Sequence, residues 1–266
     1  MTTRDQPVGI FDSGVGGVSV LREIRRELPA EDLVYVADSE YTPYGDRPAA
    51  IIIERTIAMV EFLEGQGAKA VVVACNTATG IAVETLRARF AMPIIAIEPA
   101  VKPAASQTRS GVVGVLATTQ TLSSPRFSKL VDAHAAGVRV VAQASPGLVE
   151  QVEAGELSSA ATRSLVEQYV RPLLDEGADT IVLGCTHYPF LSAVIEQVAG
   201  PGVTVIDPAV AVARELRRRL QTGGLLAADT RTGTERFWTT GPPEPVRVVI
   251  AQLWGREVEV GRVAAA

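Results

Sequence analysis

Apolar residues fall along this chain in two rhythms. Short continuous runs rich in β-branched residues occupy 8–12 (VGIFD), 33–38 (LVYVAD), 70–75 (AVVVAC), 93–98 (PIIAIE), 111–118 (GVVGVLAT), 138–144 (VRVVAQA), 180–185 (TIVLGC) and 203–207 (VTVID). Between them lie longer segments, such as 18–28, 47–66 and 161–177, in which apolar positions recur every three or four residues and often stop at Gly or Pro. The first rhythm predicts strands and the second predicts helices. Their alternation is the β-α-β signature of parallel sheets covered by helices on both faces, so the expected class is α/β.

The chain also resembles itself. AVVVACNTATGIAVETLRARFAMPIIAIEPA (70–100) and TIVLGCTHYPFLSAVIEQVAGPGVTVIDPA (180–209) each read as strand, Cys, helix, Pro, strand, then an acid followed by Pro-Ala. A looser match sets PVGIFDS (7–13) on VVGVLAT (112–118), pairing Gly9 with Gly114 and Ser13 with Thr118. Two related α/β halves are expected. Residues 222–266 fall outside the repeat and read as one more strand-helix-strand unit, with its helix at 243–254. They are expected to complete the first half, giving a discontinuous domain of 1–98 with 210–266 and a second domain of 99–209.

Composition narrows the setting. At 266 residues with 47% hydrophobic content the chain can bury a large core, and its net charge of −5 argues against nucleic acid as a partner. The run Arg217-Arg218-Arg219 closes a helix-like stretch, where cations suit the negative helix end. The start, MTTRDQP, lacks an apolar leader, and no stretch is apolar for long enough to span a membrane, so a cytoplasmic location is expected. In such a reducing compartment the two cysteines do not suggest a disulfide, and they lack CxxC spacing. They are either buried inert thiols or chemistry.

Ligands of open parallel sheets bind beyond the carboxyl ends of the strands. Those ends carry Asp12-Ser13, Asp38 with its loop, Cys75-Asn76-Thr77, Glu98, Thr118 and Cys185-Thr186-His187. If the halves face each other, a small ligand between them meets a thiol on each side. Inverting a carbon centre by proton transfer needs a base on one face and an acid on the other, and thiols can take both parts because their ordinary pKa lies near 8.5. Asp12 and His187 are candidate partners for the two sulfurs. Asn76-Thr77 and Thr186-His187 lead into helices, where free N–H groups and side-chain donors suit an anionic ligand. FDSGVGGVS does not complete a dinucleotide fingerprint, since Ser19 stands at the third glycine position; a tight turn near a small anion accounts for its glycines. In SEYTPYGDRP, Tyr44-Gly45 can present rigid backbone to a ligand, or form a plain turn. Pyridoxal phosphate is not expected, because Lys69, Lys102 and Lys129 do not lie at strand carboxyl ends, and a metal is not expected from two cysteines and two isolated histidines.

The motifs FDSGVGG, PYG, ACNTAT, EPAVKPA, LGCTHYP and FWTTG together resemble, over nearly the whole chain, the cofactor-independent glutamate racemases of the aspartate/glutamate racemase superfamily. That resemblance implies two α/β domains with the active site between them and conversion of L-glutamate to D-glutamate for peptidoglycan precursors, without a cofactor. It implies that Cys75 and Cys185 are the paired acid/base residues, with Asp12 and His187 beside them. Substrate contacts would fall on Asp12, Ser13, Tyr44, Gly45, Asn76, Thr77, Thr186 and His187, with Thr118 and Thr121 as a threonine pair in the second domain. An assisting glutamate near the second cysteine matches Glu153 in SPGLVEQVEAG, with Glu150 as a neighbouring acid. The partner implied is L- or D-glutamate, with no metal, nucleic acid or membrane; a homodimer is compatible with the sequence. Residues alone leave three other readings open: a sister racemase acting on aspartate, a thiol redox protein, and an anion-binding module without chemistry.

Overall fold

The computed structural model describes residues 3–264. Within them the chain forms β1 (Val8–Asp12), α1 (Val18–Glu27), β2 (Leu33–Ala37), α2 (Ala49–Gly65), β3 (Ala70–Val73), α3 (Asn76–Arg89), β4 (Ile94–Ala96) and α4 (Val101–Gln107). There follow β5 (Val112–Ala117), α5 (Thr119–Ser123), α6 (Pro125–His134), β6 (Arg139–Ala144), α7 (Leu148–Glu153), α8 (Ala160–Asp175), β7 (Thr180–Gly184), α9 (Ser192–Ala199) and β8 (Thr204–Ile206). The chain continues with α10 (Ala209–Thr222), β9 (Glu235–Thr239), α11 (Pro243–Trp254) and β10 (Val260–Arg262). Each run singled out as a strand contains one, and α11 has the bounds its periodicity predicts. The short helices α4, α5 and α7 were not legible, since one or two turns carry too little periodicity to register.

The strands form two wholly parallel sheets, ordered β10-β9-β2-β1-β3-β4 and β6-β5-β7-β8. Central strands β1, β2, β3 and β7 are buried at every residue, as their unbroken apolar runs require with helices on both faces, whereas edge strands β6, β8 and β10 are partly exposed. β9 pairs with β2 from Glu235–Leu33 to Thr239–Ala37, so the C-terminal segment extends the first sheet.

The internal repeat is physical. The order β2-β1-β3-β4 recurs as β6-β5-β7-β8. On β1, a Cβ at Gly9 would lie 3.0 Å from Leu63 of α2; on β5, one at Gly114 would lie 2.8 Å from Leu173 of α8. Each glycine lets a crossover helix settle onto its sheet. Both helices close alike, with Ala68 N–H donating to Leu63 O and Ala178 N–H to Leu173 O, each at 3.0 Å, past left-handed Gly67 (φ 80°) and Gly177 (φ 87°). A single apolar cluster takes in Val8 and Ile10 of the first sheet together with Ile181 and Leu183 of the second, so the halves share core along one side.

At the amino end of the first sheet, Lys69 and Glu31 form an ion pair with 0% and 1% exposure. Lys69 Nζ donates to Glu31 Oε2 at 2.5 Å and to Arg4 O at 2.6 Å, while Glu31 Oε1 accepts from Ala227 N at 2.8 Å. The pair ties the starts of β2 and β3 to the loop before β9, and it lies at the end of the sheet opposite Cys75. Desolvating both charges is offset only while both are present. Lys69→Met should therefore lower the unfolding free energy in urea by about 3–5 kcal/mol, and Lys69→Met with Glu31→Leu should recover most of the loss; a single-variant loss below about 1 kcal/mol would mean that water solvates the pair.

Candidate active site

The site is built from the turns that leave the strands' carboxyl ends. β1 ends at Asp12, and the following turn wraps that carboxylate: Asp12 Oδ2 accepts from Gly17 N at 2.9 Å and from Gly14 N at 3.3 Å. The glycine turn thus approaches an anion, but the anion is the chain's own side chain. Full burial raises Asp12 to about 6, against the opposing pull of His187 and the Gly17 N–H, with Glu153 adding to the rise. Across the halves, Thr186 Oγ1 lies 3.4 Å from Asp12 Oδ1, and Ser19 Oγ donates to Thr186 O at 2.9 Å.

β3 stops at Val73, two residues short of the expected boundary, because Cys75 turns out of the ladder to cap α3. Its Sγ accepts from Ala78 N at 3.4 Å and its S–H faces Ser13 Oγ at 3.5 Å. Burial, with the Asp12 charge adding to it, pushes the Cys75 thiol well up. Asp12, expected beside this sulfur, acts on it through charge and spends its hydrogen bonds on the turn.

β7 delivers the second thiol. Cys185 Sγ lies 3.7 Å from His187 Nδ1, and His187 Nε2 meets Glu153 Oε1 at 2.6 Å. Burial lowers the imidazole's proton affinity, but its bonds to Cys185 and Glu153 and their charges outweigh that and hold His187 well above its ordinary range. Glu153 ends α7 facing the cleft, while Glu150, three residues earlier on the same helix, is exposed.

Other expected residues arrive from both sides. The hydroxyls of Thr77, Thr118 and Thr121 form a triangle, at 2.9 Å for Thr77–Thr118 and Thr118–Thr121 and 3.3 Å for Thr77–Thr121. Tyr44 and Gly45 form a short 3₁₀ turn after a cis Thr42–Pro43 bond. The Tyr44 hydroxyl donates to Asp38 Oδ2 at 2.6 Å; Asp38 is also held by Arg55 and Thr240 and so anchors the loop from behind. A Cβ on Gly45 would lie 3.0 Å from Thr118 Cβ, so the loop abuts the second half. Asn76 is buried and neither polar atom of its side chain has a protein partner.

One cavity joins these parts. Both sulfurs' residues, Ser13, Tyr44-Gly45, Asn76-Thr77, Thr118 and Thr186-His187 line it, while Asp12, Thr121 and Glu153 stand behind the lining. Glu98, a strand-end candidate, is not among the lining residues; it pairs with Arg126 at 2.5 Å. Pro43 and Val149 line the cavity without having been singled out, and Val149 carries no sequence signal, being one apolar residue on a short helix. The cavity has a volume of about 10 Å³, room for one water and too little for an amino acid. Both cysteines are free thiols. Among the described residues no helix is long and apolar enough to cross a membrane, and no three His, Cys, Asp or Glu side chains are grouped to hold a metal ion.

The family model described as Asp/Glu/Hydantoin racemase matches residues 8–216, a span that contains both cysteine turns and Glu153. The chain belongs to the Asp/Glu/hydantoin racemase family. Within that family its similarity is to glutamate racemases. That of Methylococcus capsulatus is 54% identical over 254 residues, covering 96% of this chain and 94% of the relative. The solved glutamate racemase of Bacillus anthracis superposes with a TM-score of 0.89 at 35% identity, covering 98% of each chain. That of Escherichia coli, solved with L-glutamate and the activator UDP-MurNAc-ala, gives 0.87 at 31% identity over 98% of this chain and 99% of its own.

For this racemase-family site the Asp12 carboxyl sets a pH dependence of stability. With its proton affinity raised from 3.8 to about 6, folded Asp12 holds more proton than the unfolded chain between those values. Stability therefore falls as pH rises through that window, and the full penalty, about 3 kcal/mol, applies above it. Asp12→Asn should raise the unfolding free energy near neutral pH by up to about that amount and change it little near pH 4, as read by urea denaturation at the two pH values. A less stable variant at neutral pH would mean that the Gly14 and Gly17 N–H bonds to the charged form outweigh its burial.

Proposed function

We propose that this protein interconverts L- and D-glutamate by two-base proton transfer between Cys75 and Cys185. The observation that carries the reading is that two free cysteines, at equivalent strand ends of two repeated halves, line one buried cavity. The names of its relatives supply the substrate, and one of them was solved with L-glutamate.

In one direction a thiolate removes the α-proton: its sulfur gains the hydrogen, and the C–H electron pair passes into the carboxylate as an enediolate. The opposite thiol then protonates the other face of the carbon and is left as thiolate. The product is the mirror image, with the thiols' protonation states exchanged. His187, backed by Glu153, serves Cys185, and the Asp12 carboxyl serves Cys75 through its charge. Asn76, whose amide lacks a protein partner, and Thr77 and Thr186 direct donors at the developing charge, where fixed dipoles in a dry cavity act most strongly. Because the cavity as it stands admits only a water, substrate entry requires the halves to part, and closure then excludes solvent from the intermediate. The product serves peptidoglycan precursor synthesis in the cytoplasm.

Incubation with L-glutamate in D₂O, without added cofactor, should give loss of optical rotation together with deuterium at Cα. If rotation and the α-proton signal both persist with folded protein, glutamate is the wrong substrate, and the same assay on aspartate separates a sister racemase from a binding module. Cys75→Ser and Cys185→Ser should each lower kcat by about 10²–10⁴-fold; full activity in either would remove the two-base scheme. Glu153→Gln should lower kcat more than it raises KM, with Glu150→Gln unchanged, and the reverse ranking would transfer the assisting role to Glu150.

A further inference from the structure

Gly14 and Gly16, in the turn after β1, have no positive φ, so backbone conformation does not call for glycine at either place. Space does. A Cβ on Gly16 would lie 2.2 Å from His187 Nδ1 and 2.6 Å from two ring carbons; a Cβ on Gly14 would lie 1.9 Å from Glu153 Oε1. Between them, Val15 N–H donates at 2.8 Å to Glu153 Oε1, the same oxygen that His187 Nε2 meets. The imidazole and the carboxylate of the second half therefore sit in a mould formed by three consecutive residues of the first.

The mould cannot easily retreat. Gly14 and Gly17 N–H groups hold Asp12, the Tyr35 hydroxyl donates to Gly14 O at 2.6 Å, and Ser19 Oγ lies 2.9 Å from both Gly16 O and Thr186 O, its one proton shared between them. A methyl group added to either glycine must be met by movement of His187 or Glu153, away from the alignment that places Nδ1 against Cys185.

The geometry points to Gly14, Val15 and Gly16 as positioning residues for the His187–Glu153 pair, so that the first half completes the acid/base apparatus of the second when the cleft is closed. This rests on the reading of His187 as the partner of Cys185 and deepens it. Coupling follows: parting the halves to admit substrate withdraws the Val15 N–H from Glu153, and closure restores it. The ionisable groups bearing on the imidazole are Cys185 from the turn after β7, Glu153 from α7 and Asp12 from the end of β1, with the Tyr35 phenol behind Gly14.

The test uses the full-length, ¹⁵N-labelled protein. It has two histidines, so two ring signals are followed. In the unaltered protein the Val15 amide proton should shift with the same midpoint as the His187 ring; a Val15 amide silent through that titration overturns the proposal. In Gly16→Ala and Gly14→Ala, the His187 titration midpoint should fall, with the protein still folded, kcat lowered by about 10²-fold and KM changed less. An unshifted His187 titration in both variants also overturns it. If the protein turned out not to act on glutamate, the kinetic comparison would fail for the parent protein as well, while the ring and amide shifts would still report the positioning.

Discussion

On the two-base reading proposed above, two sulfurs invert one carbon only by reaching it from opposite faces, and the architecture meets that requirement. A parallel sheet directs every strand's carboxyl end to one side, where the turns into the following helices carry unpaired N–H groups and short polar side chains. Two such sheets, β2-β1-β3-β4 and β6-β5-β7-β8, bring those ends together. Cys75 and Cys185 occupy equivalent places in the repeat, so the pairing of like groups across the cavity follows from the pairing of the halves. The shared apolar core along one side resists their separation, while on the side carrying the Tyr44 loop the Thr77 hydroxyl meets those of Thr118 and Thr121, and Gly45 packs on Thr118.

The cleft gathers ionisable groups in a setting where water cannot solvate them. Asp12 is raised by burial, the Cys75 thiol is pushed up by burial and by the Asp12 charge, and His187 is held up by Cys185 and Glu153 despite burial. The two buried sulfurs therefore have different surroundings: a carboxyl group near the first, and a histidine-glutamate pair beside the second. Contrast comes from Lys69–Glu31 and from Asp38 with Arg55, where buried carboxylates are fully engaged by partners and serve only to hold the scaffold.

Much of this was legible from local pattern. Strand-length apolar runs, a helix at 243–254, and cysteines followed by hydroxyl and amide residues depend on neighbours in sequence, and the repeat could be aligned by its Cys and acid-Pro-Ala landmarks. Glu98 shows the limit: its strand-end position matches the rule, but Arg126 on α6 claims it at 2.5 Å. Glu150 and Glu153 differ by less than one helical turn, and only the way α7 docks decides that one meets solvent and the other His187.

By itself, the sequence determined the α/β class, the two-half plan, the strand ends that line the cavity and the pair of thiols, because periodicity and turn chemistry act over a few residues. Only the tertiary structure decided which residues complete one another across the halves. The glycines after Asp12 leave room for a ring and a carboxylate contributed from more than a hundred residues away, and a missing side chain carries no record of the atoms that will fill its place.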